Sequence, residues 1–272
     1  NQLGLDGDNA AQAISWAFEC YEKDLITKKE TDGLELVWGN YQAMIEMLKK
    51  LAYREGFGDF LADGAIKAAE KLGKNSERFV IHVKGQDSLD GIRINKGWGF
   101  GIILSPVAGR HLRGSLNGFW LRDDRPINSY EDVPEDLYYN QKKKAVQDIL
   151  GLCSYVYGQT VDDWVELFSC ATGRLISKDE LLHIGLQTHN LEKAFNTIHA
   201  GFDRNDDYPC DRYYNEPVKS GPYKGECIDH EIWDRMLDTI YRLHGWDIET
   251  SWQTRKGLEK IGLSDIADKL EK

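Results

Sequence analysis

Apolar residues recur at three-and-four spacing along most of this chain, and that period commits it to helices packed by one face. Ala10, Ala13, Ile14, Ala17, Phe18 and Tyr21 trace one such face, with Asp8 and Asn9 placed to cap it. A second face runs from Asn40 through Ala43, Met44, Met47, Leu48 and Leu51 and stops at Gly56; a third, from Asp59, carries Ala65, Ala68 and Leu72 up to Gly73. Glycine at those ends suits a helix C-cap. The period returns at Ala145, Val146, Ile149, Leu150 and Cys153, and again at Val161, Trp164, Val165 and Phe168 behind Thr160. Ser177-Lys178-Asp179-Glu180 has the form of a capping box and opens a helix toward Ile198. Ile232, Trp233, Met236, Leu237, Ile240 and Tyr241 mark a further helix ended by Gly245, and Ser264 starts a last one. Phe79, Ile81 and Val83 alternate as a short strand would. The stretches 85–134 and 203–225 are rich in Gly and polar residues and read as irregular, with Gly97-Trp98-Gly99-Phe100-Gly101 as a close-packed turn. The expected fold is mainly α and multihelical, with two helical domains, 1–110 and 111–272, a long irregular segment and at most short strands.

Charge and cysteine usage narrow the function. Of 272 residues, 45 are Asp or Glu and 34 Lys or Arg, and the net charge of −11 argues against nucleic acid or an anionic membrane as partner. Uncharged runs such as 97–109 and 149–161 fall short of the roughly 18 apolar residues that span a bilayer. Cys20, Cys153, Cys170, Cys210 and Cys227 are odd in number and contain no Cys-x-x-Cys pair, which disfavours a secreted disulfide framework and a self-contained zinc site. A reducing, cytoplasmic setting is expected. The chain opens on Asn1 with no signal or transit segment, as a fragment or processed product would.

Several constellations imitate sites and fail. Asp203, Asn205 and Asp207 begin like a calcium loop, but Tyr208 stands where that loop needs Gly. His183, His189 and His199 lack metal-pair spacing, Lys142-Lys143-Lys144 reads as a solvated face, and the eight Trp read as core and interface anchors.

One pattern repeats. Asn1-Gln2-Leu3-Gly4-Leu5-Asp6 and Asp148-Ile149-Leu150-Gly151-Leu152-Cys153 both place Leu-Gly-Leu between polar ends. Glycine lets backbone approach a flat ligand, and a carboxylate can accept from paired N–H donors on a pterin or guanine edge. Leu-Gly-Leu is also common at helix ends, which is the plainer explanation of the match. His111 lies in Ala108-Gly109-Arg110-His111-Leu112-Arg113-Gly114, an electropositive, glycine-flanked segment.

These residues resemble the tungsten-dependent aldehyde:ferredoxin oxidoreductase family, in its C-terminal helical part. Supporting matches are Ala52-Tyr53-Arg54-Glu55-Gly56-Phe57-Gly58-Asp59, His82-Val83-Lys84-Gly85, His111-Leu112-Arg113-Gly114 and His244-Gly245-Trp246-Asp247. The resemblance implies two pterin dithiolenes chelating one tungsten or molybdenum, beside a 4Fe-4S cluster that passes electrons to ferredoxin or another electron-transfer protein. Asn1, Leu5 and Asp6 would contact one pterin, with Asn1 the weaker acceptor. Asp148 and Leu152 would contact the other. Cys153 would be the last cluster thiolate, the other three coming from an upstream Cys-x-x-Cys-x-x-x-Cys. His111 would handle a proton as general acid or base while a small aldehyde becomes a carboxylic acid. A homodimer or heteromer is expected. After Gly85 the family continues with an acidic, Pro-containing stretch, whereas this chain reads Gln86-Asp87-Ser88-Leu89-Asp90-Gly91-Ile92. That departure, with the aromatic segment from Trp98 to Val107, keeps open a benzoyl-CoA reductase-like tungsten subunit of the same superfamily. A non-catalytic helical scaffold is the third reading.

Overall fold

Asp6, ahead of the expected caps Asp8 and Asn9, starts the first helix. Its carboxylate accepts from the Asn9 amide at 2.9 Å, and α1 spans Gly7–Glu22. Asp8 and Asn9 instead fall inside the first turn, where an acidic residue favours the positive helix end. The computed structural model describes residues 2–88, 91–114, 125–153 and 159–271. The chain forms two compact units, 1–90 with 209–216, and 91–208 with 217–272. The fold is mainly α and multihelical, as expected, and the sheet described is one pair of two-residue strands.

In the first unit, α1 is followed by α2 (Tyr41–Tyr53), α3 (Phe57–Leu61) and α4 (Ala65–Leu72). Asn40 caps α2 as its position foretold, accepting from the Ala43 amide at 3.2 Å. The helix ends earlier than Gly56, on a left-handed Arg54, and Gly56 opens α3. The single helix expected from Asp59 is two helices, parted where Gly64 takes a φ of +95°. Trp16, Ala17, Cys20, Leu36, Met47 and Ala68 are sealed in the core, and the Trp16 indole donates to the Ser76 carbonyl at 3.0 Å. The expected strand is shorter: Ser76–Phe79 is a 3-10 turn, because Phe79 is drawn into that core, and only β1 (His82–Val83) pairs, antiparallel to β2 (Gln86–Asp87). From far along the chain, α9 (Arg212–Asn215) joins this unit; the Arg212 guanidinium donates to both Glu19 oxygens at 3.1 and 3.2 Å and to the Phe79 carbonyl at 3.2 Å.

A close approach of α2 and α3 explains Gly58. A Cβ there would sit 2.2 Å from the Lys50 carbonyl carbon, which is backbone and cannot swing aside. Gly58→Ala is expected to destabilise the protein by roughly 1–3 kcal/mol, the cost of overpacking a rigid contact. Chemical denaturation would register this as a lower midpoint at unchanged slope, and an unchanged midpoint would contradict the close approach.

The second unit opens with a helix where a turn is expected. Residues 97–101 are not a turn but belong to α5 (Lys96–Ile103), capped by Asn95, which accepts from the Trp98 amide at 3.0 Å. Three glycines disfavour a helix, but Phe100, Ile102 and Ile103 are fully buried, and Gly99 admits Ile92, whose Cβ would otherwise be 2.6 Å from a side chain. Burial outweighs propensity here. Next come α6 (Val133–Ile149), α7 (Val161–Thr172) and α8 (Lys178–Ala200), the last two opened by capping boxes at Thr160 and Ser177. Further on, α10 (His230–His244) ends on left-handed Gly245, and α11 (Arg255–Lys260) and α12 (Ser264–Leu270) close the chain. Helices α6 and α8 meet so closely that a Cβ on Gly185 would lie 2.2 Å from the Lys142 carbonyl oxygen. The triple lysine is not a solvated face: Lys142 lies 4.1 Å above the Tyr138 ring and Lys143 5.6 Å from the Trp164 ring, and burial lowers the pKa of both ammonium groups.

Candidate functional site

The first motif runs into the start of α1. Gly4 has a φ of +68°, a conformation that favours glycine, and Leu5 seats half-buried against the core of its unit. Gly4, Leu5 and Asp6 line a cavity of about 580 Å³ whose wall also includes Leu61, Gly64 and Asp87. Cavities of this size suit organic cofactors. Across the rim, the Gln86 amide donates to the Asn9 side chain at 2.9 Å. Asn1 lies outside the described residues.

The second motif closes α6. Gly151 has a φ of +71°; its amide donates to the Asp148 carbonyl at 3.1 Å, and the Leu152 amide to the Gln147 carbonyl at 3.0 Å. Such bonds satisfy the last carbonyls of a helix. Leu152 seats half-buried against the cluster of Val146 and Trp164, while Cys153 is an exposed thiol. The two motifs thus share one local form. Each has a left-handed glycine, then a leucine anchored on its own unit's core, then an outward polar residue. A Cβ at Gly4 or Gly151 would meet no described atom within 4 Å, so both backbones present an open face. Each motif also serves a helix end, so helix capping explains part of the match.

His111 and the second motif are joined through Arg113. His111–Arg113 is a single 3-10 turn, and the His111 ring stacks on the Trp98 indole with centroids 4.7 Å apart. Arg113 donates to Asp148 at 2.8 Å and lies 3.4 Å from Glu192 on α8, while Lys144 also pairs with Asp148. Burial pushes the Glu192 carboxyl up, with Arg113 opposing that rise. Gly114 then passes 2.9 Å, measured from a would-be Cβ, from the Gln141 Cα, and its carbonyl accepts from Asn140 at 2.7 Å. The turn bearing His111 is therefore pinned to α6 at Arg113 and at Gly114.

Among the described residues no three His, Cys, Asp or Glu converge as a metal site. Burial pushes the Cys20 thiol up to about 12 and the Cys210 thiol up to about 11, so neither is poised as a thiolate. An iron-sulfur cluster of the usual kind needs four thiolates.

A family model described as aldehyde ferredoxin oxidoreductase, domains 2 and 3, matches residues 1–263. The chain belongs to this family. A tungsten-containing aldehyde ferredoxin oxidoreductase of Pyrococcus furiosus is 30% identical over 275 residues, covering 98% of this chain and 44% of that protein. The enzyme of the same description from Pyrococcus horikoshii is also 30% identical, over 279 residues, with the same coverage of both chains. An aliphatic sulfonate oxidoreductase, WOR-like subunit, of Pyrococcus furiosus is 27% identical over 278 residues, covering 97% of this chain and 41% of that protein. The chain thus spans less than half the length of these relatives. Among solved structures, the active-site complex BamBC of benzoyl coenzyme A reductase with 1,5-dienoyl-CoA matches at a TM-score of 0.74 and 19% identity, over 98% of this chain and 45% of that one. That likeness is one of fold.

Within this aldehyde ferredoxin oxidoreductase family chain, sequence reasoning met Trp98 and Asp87 only inside divergent segments and gave them no role, passed over Asn140, and used Arg113 only as a source of positive field. Arg113 had a signal, its place two residues after His111; the others act through partners that no local pattern shows. No helix among the described residues is long and apolar enough to cross a membrane.

Proposed function

We propose that this chain is the C-terminal helical portion of a tungsten bis-pterin oxidoreductase that takes an aldehyde to a carboxylic acid and delivers the electrons, through a 4Fe-4S cluster, to ferredoxin in the cytoplasm. The observation that carries the reading is the shared form of the two motifs, each with an open, left-handed glycine and an anchored leucine. The residues fit the group in kind: backbone that a flat heterocycle can approach, and carboxylates that can accept from its N–H edge. Asn1, Leu5 and Asp6 would hold one pterin, and Asp148 and Leu152 the other. Cys153 would give one thiolate to the cluster, with the remaining three upstream. The same proposal places the family's domain division at 1–110 and 111–272.

Bound there, the metal and its dithiolenes would supply the two-electron redox chemistry. Aldehyde plus water becomes acid with release of two electrons and two protons. His111, held flat on Trp98, would take a proton from the hydrated substrate or its oxygen. Arg113 and Lys144 both pair with Asp148 and hold its side chain in place as an acceptor.

The test is elemental and pterin analysis of the full-length native protein, followed by assay with aldehydes and a viologen acceptor, and with benzoyl-CoA analogues. Tungsten or molybdenum with about two pterins per chain and aldehyde-dependent viologen reduction are the expected results. Benzoyl-CoA turnover without aldehyde oxidation would reassign the substrate. Absence of metal and pterin would leave a scaffold.

A further inference from the structure

Asp87, at the end of β2, is 5% exposed and lines the cavity that Gly4, Leu5 and Asp6 also line. Its Oδ2 lies 3.5 Å from the Ala65 amide at the start of α4, at the limit of a hydrogen bond. Its Oδ1 is buried and has no hydrogen-bond partner among the described residues. An ionised carboxylate carries about four acceptor sites, so one long contact leaves it far from satisfied. Burial pushes its carboxyl up, and only the Ala65 amide draws it down. Helix capping therefore accounts for one oxygen and leaves the other unexplained.

The cavity around it is rich in acceptors. Asp6, Glu70 and Asp87 stand on its wall beside Asp63, which Arg54 and Lys71 already pair, with Asn9 and Gln86 bonded to each other and Lys67 as a cation. A planar ring whose edge presents several N–H donors is the complement of such a wall, and a ring whose edge presents acceptors is not.

Resting on the function proposed above, we propose that Asp87 is a ligand-contacting residue of the first-motif cavity, whose Oδ1 accepts a hydrogen bond from an N–H donor of the pterin ring. Asp6 and Asp87 then face one donor-rich ligand from two elements, the start of α1 and the end of the β1–β2 hairpin. Gly64 faces Asp87 at the mouth of α4, where a Cβ would lie in ordinary contact with Oδ2, at 3.4 Å.

The experiment compares full-length wild type, Asp87→Asn and Asp87→Glu. Pterin is released and oxidised to its fluorescent form after exhaustive dialysis and is expressed per protein, with circular dichroism and thermal melting on the same samples. Asp87→Asn keeps an oxygen for the Ala65 amide but turns an NH2 donor toward the ligand's donor. It is expected to retain roughly tenfold less pterin at native circular dichroism, because hydrogen bonds to a charged acceptor carry about that much affinity or more. Asp87→Glu, which keeps the carboxylate, is expected to recover a substantial part. Full pterin in Asp87→Asn overturns the proposal, whatever its melting temperature. So does loss that appears equally in both variants together with lost circular dichroism, which marks Asp87 as a fold residue alone. Wild-type protein without pterin sinks the function proposed above, whereas loaded wild type beside a loaded Asp87→Asn sinks only this inference.

Discussion

His111→Ala in the full-length protein is expected to lower aldehyde turnover by roughly 10²–10⁴, the usual range for removing a proton-transfer group. That corresponds to about 3–5 kcal/mol of transition-state stabilisation. Tungsten and pterin content should stay at the wild-type level, because Arg113 and Gly114 tie the turn to α6 whatever side chain stands at 111. The ring contributes a face to Trp98 that alanine loses, so His111→Gln serves as a bulkier control. Turnover within a few-fold of wild type in a fully metallated His111→Ala protein would remove His111 from the chemistry. It would leave the pterin assignments of Asp6 and Asp148 to be judged separately.

Acid should unfold this protein through two histidines that are not in the proposed site. His189 and His244 stack with centroids 5.1 Å apart, and His244 stacks in turn on Trp246 at 4.3 Å. His189 is held down to about 4 by burial, with Lys193 and Arg113 adding to the effect. His244 is held well below its ordinary value by burial, then by His189, Lys142 and Lys193. The Nε2 of His244 meets the Gln141 Oε1 at 3.0 Å, while its buried Nδ1 has no hydrogen-bond partner among the described residues to receive the second N–H of an imidazolium. Below the unfolded pKa of about 6.5 the unfolded chain takes up protons that the native state refuses, so stability falls with pH. The loss from His189 alone is about 2 kcal/mol by pH 5, and His244 acts in the same sense. Glu192 and Asp87, whose carboxyls are pushed up by burial, act in the opposite sense and soften the slope. Urea midpoints at pH 7.5 and pH 5 measure the sum, and a His189→Gln, His244→Gln double variant isolates the pair. Equal pH dependence in the wild type and the double variant would show that the imidazoles are not held neutral.

Elements whose caps and apolar period coincide were legible before any coordinates. Helix α8 has both a Ser177–Glu180 box and a long face, and α10 has the Ile232–Tyr241 face with Gly245 behind it. Helix α5 was not legible, since its glycines imitate a turn and its stability comes from Phe100, Ile102 and Ile103 meeting the rest of the unit. Helix α11 is six residues long and rests on the Thr254 cap and one buried leucine, Leu258, too little to leave a period. The site divides in the same way. The twin motifs are contiguous and could be read as strings. Arg113 meets Asp148 across 35 positions and Asp87 meets Ala65 across 22, and those pairings exist only once helices and hairpin have closed.

The return of Arg212 to Glu19 and Phe79 has a topological outcome for anyone dividing this chain. Residues 209–216 belong to the first unit while the chain on either side belongs to the second, so no single cut yields both units whole. A piece ending at residue 90 would lack the guanidinium that neutralises Glu19. Cleaved between 90 and 91, the downstream piece would still carry that missing part as a tether.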